Sequence, residues 1–194
     1  MNKSFLQIVI LVFLFSAAYG QDNNAITKFV PRNYTIWQLV KGDLNLDSLE
    51  DVIVVLKKDG EDTLSTVEHP VKRIVLILTG QSDKSYTLIA RNDNVVYFYN
   101  YDANFKDAFV DATIDGPGKF SINHYGGFAR RWGRTSTFAY NRSSLNWFLV
   151  QDEFDTMNAA DTREPNKTLS DEILTSENFG KISFDQFDIY KGRK

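Results

Sequence analysis

Gly42-Asp43-Leu44-Asn45-Leu46-Asp47-Ser48-Leu49-Glu50-Asp51 leads without a break into Val52-Ile53-Val54-Val55-Leu56. The second half of this stretch has strand length and no polar position, the pattern of a strand covered on both faces. Upstream, Tyr34-Thr35-Ile36-Trp37-Gln38-Leu39-Val40 is rich in β-branched and aromatic residues and reads as the other strand of a hairpin. The turn between them carries oxygen ligands at Asp43, Asn45 and Asp47, two residues apart, and again at Asp51. The carbonyl of Leu49 fills the gap. A cation of calcium's size takes roughly six to eight oxygens at about 2.3–2.6 Å, and the alternation lets a curled loop turn every other group inward. Leu44 and Leu46 then pack outward. Magnesium suits the loop less, because it keeps several of its waters and this many ligands leave little room for them. The competing reading is an acidic β-turn with no ion.

Working outward, Ile74-Val75-Leu76-Ile77-Leu78 repeats the apolar character, and Tyr86-Thr87-Leu88-Ile89-Ala90-Arg91 follows across a polar turn at Gln81 to Ser85, so the two predict a hairpin. Asp115-Gly116-Pro117-Gly118 is a turn signal. Lys119 to Tyr125 then alternates, with Phe120, Ile122 and His124 on one face, until Gly126-Gly127 breaks it. Arg134 to Tyr140 and Leu145 to Val150, joined across Asn141 to Ser144, complete a three-stranded antiparallel meander. From Asp152 to Glu177 the chain is polar and acidic, and Lys181 to Asp188 alternates as an edge strand would. Helix is expected only as a turn or two near Asn104 to Phe109 and near Leu169 to Leu174. The fold class is therefore mainly β: a single compact antiparallel domain with a strand–calcium loop–strand hairpin and little helix, over 21–194, its ends 21–28 and 191–194 frayed.

The chain has 194 residues, with 22 Lys+Arg against 25 Asp+Glu, two histidines and no cysteine. A formal net charge of -3 argues against non-specific nucleic-acid binding, which needs a basic surface. Without cysteine there is no disulfide scaffold, thiolate zinc site, Fe–S cluster or thiol nucleophile. Residues 1–20 combine one early Lys, an apolar run from Phe5 to Phe15, and small residues at Ala18 and Gly20, which is the form of a cleaved signal peptide. That run falls short of the roughly 20 residues that span a bilayer, so no stable membrane insertion is expected after cleavage. With no cysteine after it, a lipoprotein is excluded. The location implied is secreted or periplasmic.

Taken together, the order of segments resembles a family of uncharacterised exported bacterial proteins of FG-GAP or VCBS-repeat-like type. The resemblance rests on Gly42 to Asp47, Arg73 to Leu78, Tyr86 to Asp93, Phe120 to Gly127, Arg131-Trp132, Thr137 to Tyr140, Trp147 to Val150 and Asn178 to Lys181. In such repeats a strand–loop–strand hairpin carries Asp-x-Asp/Asn-x-Asp-Gly-x-x-Asp, matched here except that Ser48 replaces Gly. A left-handed turn there costs a non-Gly residue about 1 kcal/mol. An EF-hand would want Gly in place of Ser48 and a bidentate Glu in place of Val54. The resemblance implies an exported domain with a Ca2+ loop and no settled activity. With one such loop, a complete propeller is not implied, since it needs about four blades or more.

His124-Tyr125-Gly126-Gly127-Phe128-Ala129-Arg130-Arg131-Trp132-Gly133-Arg134 is the second concentration of signal. His124, Tyr125, Arg130, Arg131, Trp132 and Arg134 are the residue types that line a groove for an anion or a sugar. They equally suit a hairpin with tight backbone at its glycines, Trp132 in the core and arginines paired with acids. No catalytic residue is assigned. Asp152, Glu153 and Asp155 are the acids from which a glycosidase-type pair would have to come. The reading that results is an exported, soluble calcium-binding β domain with a binding or interaction role toward a protein or glycan partner. The alternatives are an envelope glycan or peptidoglycan hydrolase using acidic residues, and an inhibitor or immunity-type protein.

Overall fold

A computed structural model describes residues 25–102, 105–159 and 168–191. The proposed signal peptide, residues 21–24 and residues 192–194 lie outside the described residues. The chain divides into two units at Arg32/Asn33. In the described part of the first, residues 25–27 are helical rather than frayed, and the Phe29 and Val30 amides donate to the Ile26 and Thr27 carbonyls.

The second unit holds two antiparallel meanders. The first sheet runs in the order β1 (Tyr34–Gly42), β2 (Asp51–Lys58), β3 (Ile74–Gly80), β4 (Tyr86–Asn92). The second runs β5 (Phe109–Gly116), β6 (Lys119–Gly127), β7 (Arg130–Asn141), β8 (Asn146–Asn158), β9 (Thr168–Thr175). Two single helical turns, α1 (Glu61–Leu64) and α2 (Ser176–Phe179), complete the described elements. The fold is mainly β, as the patterning predicts.

The β2–β3 register pairs one apolar residue with another along its length, from Val52 opposite Leu78 to Leu56 opposite Ile74. All five residues from Val52 to Leu56 are fully buried. Burying each such side chain is worth about 1.5–3 kcal/mol. Ile53, Val55, Val75 and Ile77 join Phe120, Ile122, Phe138 and Leu149 of the second sheet in one core. Phe120 stacks on Phe138 at 5.2 Å, and Phe184 packs edge-on against both. The sheets are also tied at their edges. Trp37 bulges out of the β1 register and packs on Phe109 at 5.0 Å, and the Gln38 amide beside it bonds both the carbonyl and the N–H of Ala112 in β5.

Several expectations are corrected. The segment Leu169 to Leu174 is not helical but forms most of β9, whose apolar spacing mimics a helical period while both its faces are largely exposed. No helix occurs over 105–108 (Asn104 lies outside the described residues), and Phe109 opens β5. Lys181 to Asp188 is not an edge strand: Ser183 makes one isolated bridge to Phe148. Its carbonyl then accepts from the Gln186 and Phe187 amides, in a turn that places Phe184 and Phe187 in the core. Gly126-Gly127 are the last two residues of β6, paired opposite Trp132 and Arg131. β8 does not stop at Val150; it runs to Asn158.

Candidate functional site

The β1–β2 connection folds as a nest of side chain-to-backbone bonds. Asp43 Oδ1 accepts from the Leu46 amide at 2.7 Å and the Asp47 amide at 3.2 Å, while its Oδ2 accepts from Ser48 at 3.1 Å. Asn45 Oδ1 accepts from the same Asp47 amide at 3.0 Å, and Asn45 Nδ2 donates to Asp47 Oδ2 at 2.8 Å. Asp47 Oδ1 takes the Leu49 amide at 2.8 Å. These short polar side chains satisfy the turn locally, as Asx turns do. Leu46 and Ser48 have φ of 66° and 68°, so both are left-handed positions held by non-glycine residues.

Asp51 does something different. It is fully buried, and its Oδ2 accepts from the Leu44 and Asn45 amides at 2.8 and 3.1 Å. Its Oδ1 accepts from the Gly80 amide of β3 at 2.9 Å. Burial pushes its carboxyl above the usual carboxylate range, and those three amide bonds oppose the shift. Gly80 is required at that point, since a Cβ there would sit 2.3 Å from the Glu50 carbonyl oxygen. Asp51 thus caps the loop onto the sheet. Leu44 packs outward into the core, and its carbonyl accepts the Trp147 indole N–H of β8 at 2.8 Å. The Asp43 carbonyl accepts the Gly118 amide at 2.8 Å, so the loop is bonded to both sheets.

The donor set fits a calcium ion in part. Asp43 and Asn45 bring one oxygen each to the Asp47 amide, and the Asp47 carboxylate accepts from Leu49 and Asn45, whereas Asp51 is committed to backbone. Among the described residues, no group of three or more His, Cys, Asp or Glu side chains is arranged to hold a metal ion.

The residues of the second motif do not share one surface. In the β6–β7 register His124 lies opposite Arg134, Tyr125 opposite Gly133 and Gly126 opposite Trp132, and alternation sends neighbours to opposite faces. His124, Trp132 and Arg134 share one face, with Trp132 lying against Gly126, where a Cβ would be 2.4 Å from the indole. Trp132 Nε1 and the Gly127 amide both donate to Asp102 Oδ2. On the other face Arg131 Nη1 donates to the Tyr125 hydroxyl at 2.8 Å, while Arg130, which shares a face with Trp132 and Arg134, is exposed at the start of β7. The six residues therefore form two separate clusters and not a single groove.

Arg134 is buried, and it grips Asp152 through Nε and Nη2 at 3.0 and 2.8 Å. The Ser136 hydroxyl also donates to Asp152. On β8, Asp152 faces opposite to Glu153 and Asp155, which share the other face. His124 Nε2 accepts the Tyr97 amide at 3.3 Å, which leaves the proton on Nδ1, an atom with no partner among the described residues. Burial, aided by the Arg134 and Arg73 charges, lowers its pKa to about 3.

A further polar cluster carries no local motif. Arg73, fully buried, bonds Glu61 of α1 through Nε and Nη2, Asp107 through both terminal nitrogens, and the Tyr97 carbonyl, with its guanidinium 4.2 Å from the Trp37 ring centre. Its partners lie 12 to 34 residues away in sequence, beyond any short-range pattern.

No helix among the described residues is long and apolar enough to cross a membrane. Compared with known proteins, the chain matches no family model, and no curated protein and no solved structure matches it significantly.

Proposed function

We propose that the chain is an exported binding module of the FG-GAP-like kind, stiffened by a calcium ion in the Asp43 to Asp51 loop. The observation that carries this reading is the convergence of Asp43 Oδ1 and Asn45 Oδ1 on one backbone amide, that of Asp47, in a loop with left-handed residues at Leu46 and Ser48. Asp43, Asn45 and Asp47 would hold the ion and water would complete its shell. The chemistry supplied is charge compensation: two carboxylates in one tight turn repel, and a dication between them removes that repulsion. Because the same loop is bonded to β3, β8 and the β5–β6 turn, stiffening it would brace one sheet against the other. With Asp51 already committed, the affinity expected is that of extracellular modules, about 10⁻⁴–10⁻³ M. Apolar residues 5–15 and the lack of cysteine support export into a calcium-rich space.

Thermal unfolding in chelator and in calcium tests this. At a tenfold excess over Kd, calcium stabilises the fold by about 1.4 kcal/mol, and the Asp43→Asn/Asp47→Asn double variant loses the response. Identical melting in both buffers overturns the reading.

A further inference from the structure

A cavity of about 640 Å3 opens where β7 and β8 meet the chain around α2 and the C-terminal segment. It belongs to neither of the motifs that the sequence singles out, apart from Arg134 in its lining. Its size lies within the range of small-ligand sites, about 300–1,000 Å3. Leu149, Leu174, Phe179, Ile182 and Phe187 supply apolar walls. The Arg134–Asp152 pair also lines it, with side chains only 6% and 5% exposed.

Several side chains that line this cavity keep open hydrogen-bond donors. The Arg134 guanidinium donates through Nε and Nη2 to Asp152, and through Nη1 to the Tyr97 hydroxyl and the Ile189 carbonyl. A guanidinium has five N–H groups, so one, on Nη2, has no acceptor among the described residues. Asn178 also lines the cavity. Its Oδ1 is taken by the Thr175 amide, which leaves Nδ2 as the side chain's open end. Lys181 and Gln186 are exposed and line the cavity, and the Lys181 ammonium sits 4.3 Å from the ring centre of Phe148, a residue outside that lining. Charge is lopsided in the same sense. Arg134, Lys181 and Lys191 line the cavity against the carboxylates of Asp152 and Asp188, an excess of one positive charge.

We infer that this cavity binds a small organic monocarboxylate with an apolar body. The carboxylate lies toward Lys181 and the open Nη2 N–H of Arg134, and the body lies against Phe179, Ile182 and Phe187. One negative charge balances the lining, and an apolar tail matches the walls. A neutral amphiphile would leave the donors unpaired, and a dianion would overshoot the charge. The inference goes beyond the calcium reading and does not depend on it.

The test is a titration of the whole chain with sodium octanoate and with 1-octanol, followed by amide NMR shifts and by calorimetry in chelator. Octanoate is expected to give saturable shifts at Leu149, Asp152 and residues 178–188, and to bind about tenfold or more tighter than octanol. Lys181→Glu, an exposed position that leaves the core intact, is expected to weaken octanoate about tenfold and to leave octanol unchanged. Absence of saturable shifts at those amides overturns the site. Equal affinity for acid and alcohol, or an octanoate affinity unaffected by Lys181→Glu, overturns the carboxylate recognition.

Discussion

The indole N–H of Trp147, on β8, donates to the carbonyl of Leu44, in the loop between β1 and β2, at 2.8 Å. Both residues are buried, so this bond joins the loop to the opposite sheet inside the core, where its loss is not made good by water. Trp147→Phe keeps most of the apolar volume and deletes the donor, leaving a buried carbonyl unpaired. The expected loss is about 1–3 kcal/mol in urea unfolding. A value near zero means that the bond contributes nothing to joining the sheets.

The two kinds of loop acid are expected to behave oppositely. Asp51→Ala strands the buried amides of Leu44, Asn45 and Gly80 and costs about 3 kcal/mol or more, whether or not calcium is present. Asp43→Asn and Asp47→Asn keep an acceptor oxygen for the turn and cost under about 1 kcal/mol in chelator. Denaturant melts of the three variants in chelator decide this. Equal losses would remove the distinction between a capping and a turn-forming carboxylate.

Ser48 sits at φ 68° in an exposed turn, so Ser48→Gly relieves left-handed strain without removing packing. Part of that relief is offset by the freer unfolded chain, and a net stabilisation of about 0.5–1 kcal/mol is expected in thermal melts. A destabilisation would mean that the Ser48 side chain contributes something beyond the turn.

His124 makes stability depend on pH. In the unfolded chain this ring takes up a proton at its ordinary pKa of about 6.5. In the fold, faced by Arg134 and Arg73 and packed on Tyr97 and Phe109, it does so only at about 3. Between those values the unfolded state binds more protons, so stability present above pH 6.5 is lost as pH falls toward 3, at about 1.4 kcal/mol per pH unit for this group. His124→Gln, which keeps a side-chain acceptor, is expected to flatten the profile by that slope between pH 6 and 4. An unchanged slope would show that the ring gains its proton without unfolding.

Arg73, itself fully buried, neutralises the buried Glu61 and the partly exposed Asp107. Arg73→Met is expected to cost about 3–5 kcal/mol, because it leaves buried carboxylate uncompensated rather than because the ion pair is strongly stabilising. Adding Glu61→Gln removes one of the stranded charges and recovers part of that loss. Equilibrium unfolding of the single and double variants tests it, and a double variant no more stable than Arg73→Met contradicts the cause.

Much of the first sheet was legible because its signal is local. Val52 to Leu56 and Ile74 to Leu78 are continuous apolar runs, and both became central strands buried on both faces. The alternation of Phe120, Ile122 and His124 likewise placed all three inside. The strands β5 and β9 were not legible. In β5 a register shift between Phe109 and Asp111 breaks the two-residue period. In β9, Leu169, Ile173 and Leu174 follow helical spacing in a strand paired only with β8, so burial imposes little alternation on it.

What the sequence determined by itself was the class of fold, the hairpin that carries the acidic loop, and the tight turn at Ser48. Each follows from residues within a few positions of one another, through pleat, turn chemistry and apolar periodicity. Only the tertiary structure decided what the charged side chains do. Asp51 became a cap because Gly80 of β3 comes to lie beside it, and Arg134 lines a cavity because β8 and the C-terminal segment close around it. The segment from His124 to Arg134 divided into two clusters because a hairpin sends alternate residues to opposite faces. Charged groups are stable inside a protein only when paired, and the chain brings their partners together only after the sheets have packed.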